Sequence, residues 1–73
     1  MEKIFIISMY QGNEKNAHQF HFIGHYKGFK VRKIMVKGGE FKKNRAYVLA
    51  LIKIKINGDT LWGECVKYKE LLN

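Results

Sequence analysis

The sequence contains no proline and a single cysteine, Cys65. One cysteine cannot form an internal disulfide, which excludes the cross-linked frameworks of small secreted domains and favours a reducing, cytoplasmic setting. No apolar run approaches the ~20 residues that a membrane-spanning helix needs. Repeats, low-complexity segments and linkers are also missing. Residues 1–73 are therefore expected to form a single domain, near the lower size limit for one hydrophobic core.

Residue patterns that carry catalysis or hold metals are missing as well. The chain has no Ser-His-Asp set, phosphate-binding loop or paired acids, so we expect no enzymatic activity. His21 and His25, four residues apart on a strand, would lie about 13 Å from each other, too far to share a zinc ion. We expect no metal or other cofactor, an exposed strand face for these histidines and His18, and a buried, unreactive Cys65.

Acidic residues are scarce, and the cations that outnumber them are unevenly placed. The chain has 14 lysines and arginines against 6 acids, which gives a net charge of +8. Ten of the cations lie between Lys27 and Lys55, where Glu40 is the only acid, while the flanking segments are nearly neutral. Clustered charge of one sign indicates a surface that meets an anionic partner, whereas evenly scattered lysines would indicate only solubility.

Runs of β-branched and aromatic residues define the predicted strands. They are Glu2 to Tyr10, Phe20 to Tyr26, Phe29 to Lys37, and a two-stranded hairpin from Arg45 to Tyr68. Asn57 and Gly58 are the predicted turn of this hairpin, since both tolerate positive φ. Gly24 indicates a bulge in the second strand. The imperfect alternation of the third strand indicates either a register shift near Lys33 or a strand whose two ends are buried on opposite faces.

The period-two alternation of the hairpin assigns its side chains to two faces. One face is apolar and is expected to line the core: Val48, Ala50, Ile52, Ile54 and Ile56, with Leu61 and Cys65 opposite. The other face mixes rings, aliphatic groups and cations: Tyr47, Leu49, Leu51, Lys53 and Lys55, with Trp62, Val66 and Tyr68 opposite. With this turn, Lys53 is expected beside Trp62, and Tyr47 beside Tyr68.

The short connections favour a closed barrel, because an open sheet of this size would leave its edges exposed. The segment KGGEFKKN before the hairpin has room for one helical turn at most, and the final KELLN, residues 69–73, is expected to form such a turn. We therefore expect an all-β fold, a single small five-stranded antiparallel barrel with at most a short helical turn. The SH3-like and OB-like types both remain open.

Cations interleaved with aromatic rings favour nucleic-acid binding, since phosphates need cations and unstacked bases need flat rings. The expected interface consists of Lys30, Arg32, Lys33, Lys42, Lys43, Arg45, Tyr47, Lys53, Lys55, Trp62 and Tyr68. Single-stranded DNA or RNA is favoured over duplex, with low sequence specificity because backbone contacts dominate. The competing interpretation places Trp62 and the tyrosines in the core and leaves the lysines as a solvated exterior.

The alternative function is a protein interaction or dimerisation module. Small barrels can pair through an edge strand or an exposed aliphatic face, for which Leu49, Leu51 and Val66 are the candidates. The cations would then meet an acidic partner protein or keep a homodimer soluble.

Overall fold

Five β-strands make up most of residues 2–71, the part of the chain that this computed structural model describes. They are β1 Lys3–Glu14, β2 Ala17–Tyr26, β3 Phe29–Lys37, β4 Ala46–Asn57 and β5 Thr60–Glu70. Hydrogen bonding closes them into a barrel in the order β1-β2-β3-β5-β4, with β4 pairing back onto β1. The expected all-β, five-stranded barrel is therefore confirmed.

One pair of neighbouring strands is parallel, whereas the sequence predicted antiparallel pairing throughout. β3 and β5 run in the same direction, from Lys33 opposite Thr60 to Lys37 opposite Glu64, and the other four pairs are antiparallel. A closed ring with an odd number of strands cannot alternate direction at every pair, so one parallel pair is unavoidable. It arises because the connection after β3 carries the chain to the far side of β5, where β4 joins β1.

The end of the described chain continues as strand and does not turn into a helix. β5 runs to Glu70, and the backbone amide of Leu71 donates to the carbonyl of Ala46 at 2.9 Å. The predicted helical turn is thus wrong for Lys69 and Glu70, and residues 72 and 73 lie outside the described part. Pairing with β4 gives these backbone groups regular partners, which one isolated helical turn provides poorly. Residues 2–71 contain no helix, hence none long and apolar enough to cross a membrane.

A bulge at Lys53 divides β4 into two halves that turn opposite sets of residues toward the core. The pairing with β5 shifts between Ile52 and Lys55, so that two residues of β4 face one of β5, and Lys53 has a φ of 55°. Gly63 lies opposite the bulge. The inward residues are Tyr47, Leu49 and Leu51 before the bulge, and Ile54 and Ile56 after it.

The predicted core face of β4 is therefore right only beyond the bulge. Leu49 and Leu51, expected outside, are 0% exposed, so they cannot form an exposed aliphatic face. Val48, expected inside, is half-buried and faces away from the core. Ala50 is only 4% exposed, so it is buried as expected, but on the outer side of the sheet, where the exposed side chains of Phe5 and Lys67 flank it. The one extra residue at Lys53 reverses every assignment made by counting alternate positions back from the turn.

The hairpin turn is offset by one residue from its predicted position. Asn57 pairs with Thr60, which leaves Gly58 and Asp59 as the two-residue loop. Gly58 has a φ of 64°, and glycine at the first central position is typical of a type II′ turn. Asn57 is thus the last residue of β4, and the expected type I′ turn at Asn57 and Gly58 is wrong.

The irregularities predicted in the second and third strands are present. The pairing of β2 with β3 shifts between His21 and Gly24, opposite Lys33 and Val31. Two residues of β2 there face one of β3, which bends the strand as barrel closure requires. The bulge near Gly24 and the register shift near Lys33 are one and the same feature.

Apolar side chains fill the interior, and one ring from a loop closes it. The most deeply buried side chains are Phe20, Val31, Ile34, Val36, Leu49, Leu51 and Leu61. Phe41, from the connection between β3 and β4, packs at one end of this core. Its ring centre lies 4.9 to 5.4 Å from those of five others: Tyr10, His18, Phe20, Tyr47 and Tyr68. A single loop residue therefore seals this end of the barrel.

Replacing Phe41 with alanine is expected to lower the free energy of unfolding by about 2–3 kcal/mol, since the ring is half-buried and its loss opens the core. Urea unfolding followed by circular dichroism measures this change. Phe29→Ala is the matched control, because that ring is exposed at the β2–β3 turn and its removal should cost no more than about 0.5 kcal/mol. Equal losses in the two variants would show that Phe41 does not seal the barrel.

Candidate nucleic-acid interface

Trp62 lies on the outer surface of β5, in a row of side chains that crosses four strands. It pairs with Met35 of β3 on one side and Lys55 of β4 on the other, and Gln19 of β2 follows Met35. The predicted neighbour was Lys53, and the offset turn explains the difference. The indole is half-buried, so it belongs neither to the core nor to the fully exposed surface. A flat ring is thus presented to solvent with a lysine beside it.

A hollow of about 410 Å³ adjoins one side of Trp62. Its lining residues are Lys37, Lys53, Lys55, Asn57, Trp62, Gly63 and Glu64. Three ammonium groups face one carboxylate, and the Lys53 Nζ lies 3.6 Å from a Glu64 carboxylate oxygen. Both side chains of that pair are largely exposed, so the pair is worth at most about 1 kcal/mol and an incoming phosphate can compete for the lysine. The hollow therefore has net positive charge beside an aromatic ring.

A second hollow, of about 200 Å³, adjoins the other side of the same indole. It is lined by Glu14, Lys15, Lys33, Met35, Asn57, Thr60 and Trp62. Lys15 and Asn16 form the β1–β2 turn, with φ of 51° and 62°, as a type I′ hairpin turn requires. That turn brings Lys15 to the Trp62 side of the barrel. The Trp62 face, defined as the two hollows and the indole between them, thus contains five lysines and two glutamates.

Acids from elsewhere in the chain neutralise part of the central block of cations. Four ion pairs connect this block to acids outside it: Lys27 with Glu2 at 3.2 Å, Arg32 with Asp59 at 3.7 Å, Arg45 with Glu70 at 3.9 Å, and Lys53 with Glu64 at 3.6 Å. The cations of the central block therefore do not form one uninterrupted basic surface. Lys30, at the far end of β3, is exposed beside His25 of β2 and lines neither hollow.

The predicted residues near the start of β4 form a separate group. Tyr47 is 3% exposed, and its hydroxyl accepts a hydrogen bond from the Lys42 amide at 2.7 Å, so it cannot stack on a base. Tyr68 pairs with Leu49 in the register and not with Tyr47, but its ring centre lies 6.2 Å from that of Tyr47, so the two rings are neighbours as expected. It also packs against Phe41. Eight residues of strand separate Tyr47 from Lys55, about 26 Å. Lys42, Arg45, Tyr47 and Tyr68 therefore lie far from Trp62, near the carboxylates of Glu40 and Glu70. The Lys43 side chain lies beside Gly12 of β1 and lines neither hollow.

The histidines and the cysteine take structural positions. His21 and His25 are exposed as expected, but the Nδ1 of His18 lies 2.9 Å from the hydroxyl of Tyr10, and its ring packs on Phe41. In the described residues, no group of three or more His, Cys, Asp or Glu is placed to hold a metal. Cys65 is half-buried against the core, opposite Leu51, and this burial raises the pKa of its thiol. A raised pKa leaves less of the reactive thiolate at neutral pH.

The sequence predicted the residues at the centre of the Trp62 face but not two lysines at its edge, Lys15 and Lys37. Lys33, Lys53, Lys55 and Trp62 are brought together as expected. Lys37 belonged to the central charge block without being singled out, and Lys15 lay outside the block with no local signal to mark it. No protein-family model, curated protein or solved structure matches the chain.

Proposed function

We propose that the protein is a non-enzymatic barrel that binds single-stranded DNA or RNA across the Trp62 face. The observation that carries this proposal is the placement of the half-buried indole on the outer surface, next to two hollows that together contain five lysines. Stacking of one base on an aromatic ring contributes about 1–3 kcal/mol, and lysines on both sides can contact the flanking phosphates. Only an unstacked base can reach an indole in this way, which favours a single strand over a duplex.

The strand order supports the OB type of barrel over the SH3-like type. In the OB type, the third and fifth strands close the barrel side by side, as β3 and β5 do here. OB barrels bind oligonucleotides on the face of their second and third strands, between the loops that follow the first and the fourth strand. The smaller hollow is lined by Lys15 from the β1–β2 turn, Lys33 from β3, and Asn57 and Thr60 beside the β4–β5 turn. The position of the smaller hollow beside the third strand and these two loops supports the proposal, while the larger hollow extends onto β4 and β5.

The ligand is expected to be held by its backbone more than by its sequence. Lysine ammonium groups contact phosphates as point charges, and an indole stacks on any base. We therefore expect low sequence specificity, strong salt dependence and no requirement for a cofactor. A cytoplasmic setting belongs to the same proposal, since the one cysteine is free and nucleic acids are available there.

Trp62 is the only tryptophan, so its fluorescence reports binding directly. Titration with oligo(dT) or oligo(U) is expected to quench it, with an affinity that falls linearly on a log–log plot of salt by about 0.7 per phosphate neutralised. In Lys55→Gln, the magnitude of this slope should be smaller by about 0.7, because one phosphate contact is lost. Lys69→Gln, exposed at the other end of β5, is the matched control and should leave the slope unchanged. Tight binding that ignores salt would contradict the proposal.

A protein interaction module is the second candidate, and one observation favours it. The outward side chains of Phe5 and Ile7 on β1 are 70% and 66% exposed, which is unusual for large apolar groups next to each other. Of the candidates expected for such a face, Val66 is exposed, while the two leucines are buried. An acidic partner protein would meet the lysines of β5 at the border of this face. Co-purification of the chain with an acidic protein, but not with nucleic acid, would favour this function.

A further inference from the structure

β4 is apolar on both of its faces before the bulge. Tyr47, Leu49 and Leu51 point into the barrel, and the residues that alternate with them point outward: Ala46, Val48 and Ala50. Ala46 and Val48 are half-buried, and Ala50 is covered by its neighbours on β1 and β5. A strand with one face in water alternates apolar with polar residues, whereas a strand buried on both faces reads as a continuous apolar run. The run AYVLALI belongs to the second kind. The barrel covers only one of the two faces.

β1 extends this outward apolar surface. Phe5 pairs with Ala50, Ile7 with Val48 and Met9 with Ala46, and the three β1 side chains are all exposed. We call these six residues the β1–β4 outer face. It contains no charged side chain, although the chain as a whole has a net charge of +8.

The two halves of the β1–β4 outer face differ in height. β1 presents long side chains (Phe5, Ile7, Met9), while β4 presents short ones (Ala46, Val48, Ala50). The result is a ridge along β1 beside a shallow strip along β4. A ridge and a strip of matching length on one molecule are self-complementary when a two-fold axis parallel to the strands relates two copies.

The surrounding charges select the same axis. Lys67 and Lys69 of β5 pair with Ala50 and Val48, so they line the β4 border of the face. An axis perpendicular to the strands would place these lysines against the same lysines of the other copy. The axis parallel to the strands places them beyond the other copy's ridge instead, on the side of His21 of β2 and away from the same lysines of that copy.

We propose that a second copy of this chain covers the β1–β4 outer face. The two copies form a symmetric dimer in which the β1 ridge of each packs on the β4 strip of the other, as the faces of two stacked sheets do. The uncharged face is where two strongly cationic molecules can approach each other without repulsion. Trp62 pairs with Met35 of β3 and with Lys55 of β4, which lies beyond the bulge and outside this contact, so the dimer does not depend on the proposed nucleic-acid binding.

Light scattering coupled to gel filtration, with the full chain and no nucleic acid, tests the proposal. We expect a species of twice the 8.6 kDa of one chain at protein concentrations up to about 0.3 mM, which reveals even weak dimers. Ile7→Lys places a charge in the middle of the ridge and should weaken the dimer about tenfold or more. Its side chain is exposed in the single barrel, so circular dichroism and thermal unfolding should show an intact fold.

Phe29→Lys is the matched control, since it exchanges an exposed apolar side chain for lysine outside the β1–β4 outer face and should remain dimeric. A wild-type chain that is monomeric at every concentration overturns the proposal and leaves the face to a different partner. A dimer that persists unchanged in a folded Ile7→Lys variant overturns it as well, because another surface would then hold the copies together. If Ile7→Lys does not fold, Met9→Lys takes its place in the experiment, and the same loss of dimer is expected.

Discussion

Trp62→Ala is expected to reduce affinity for single-stranded oligonucleotides by about 1–3 kcal/mol, or roughly 5- to 150-fold, because the stacking platform of the Trp62 face is lost. Trp62→Phe should retain most of the affinity, since a smaller ring still stacks. The fold should survive both changes, because the indole lies on the outside of β5 and does not pack against the core. The measurement is fluorescence anisotropy of a labelled oligonucleotide, as the variants lack the intrinsic reporter.

The controls separate stacking from charge. Phe29→Ala removes an exposed ring elsewhere and should leave the affinity unchanged. Trp62→Ala should lower the affinity at every salt concentration by a similar factor, leaving the salt slope intact, whereas Lys55→Gln changes the slope. If Trp62→Ala binds as tightly as the wild type, the indole is not in the interface and the proposed function is wrong.

Leu49→Ala is expected to lower the free energy of unfolding by about 2–5 kcal/mol, because a fully buried side chain leaves a cavity that the barrel cannot refill. That is a large part of the total for a domain of this size, about 4–11 kcal/mol. Val48→Ala, one position earlier and on the outside, should cost less than about 1 kcal/mol. Urea unfolding measures both changes, and the Ile7→Lys background removes any contribution from dimer contacts.

The reverse order of the two effects would have a definite meaning. A costly Val48→Ala and a mild Leu49→Ala would place the even-numbered residues inside, as alternation counted from the turn predicts. The bulge at Lys53 would then be absent in solution. The comparison therefore tests the feature on which the two faces of β4 depend.

The architecture was predictable from the sequence because it follows from length, strand propensity and closure. Short connections and the lack of a helical pattern leave few alternatives to a small barrel. Gly24 marked its bulge because a glycine within a strand pattern is a local signal. Lys53 gave no such signal, since lysine at positive φ is uncommon and the bulge is imposed by the curvature of the closed barrel. The parallel pair was derivable from strand number alone.

The centre of the candidate site was predictable for a different reason. Trp62 and Lys55 lie on paired strands of one hairpin, so any register near the true one brings the ring close to a lysine. The edge of the Trp62 face depends on which distant segments come together, as Lys15 does with β3 and β5, and composition does not predict this. The same holds for Glu70 beside Arg45, where an acid remote in sequence offsets a cation. Charge counted along the chain overestimated the basic surface for this reason.

The bulge at Lys53 also determines how this chain tolerates insertions and deletions. Removal of that one residue would restore strict alternation through β4. Either Ile54 and Ile56 would then turn toward water and Lys55 toward the core, or the residues before the bulge would exchange their inward and outward positions. Many substitutions at Lys53 keep the residue count and would be accommodated on the exposed side. Among natural or engineered relatives, variation at this position should therefore consist of exchanges and not of gaps.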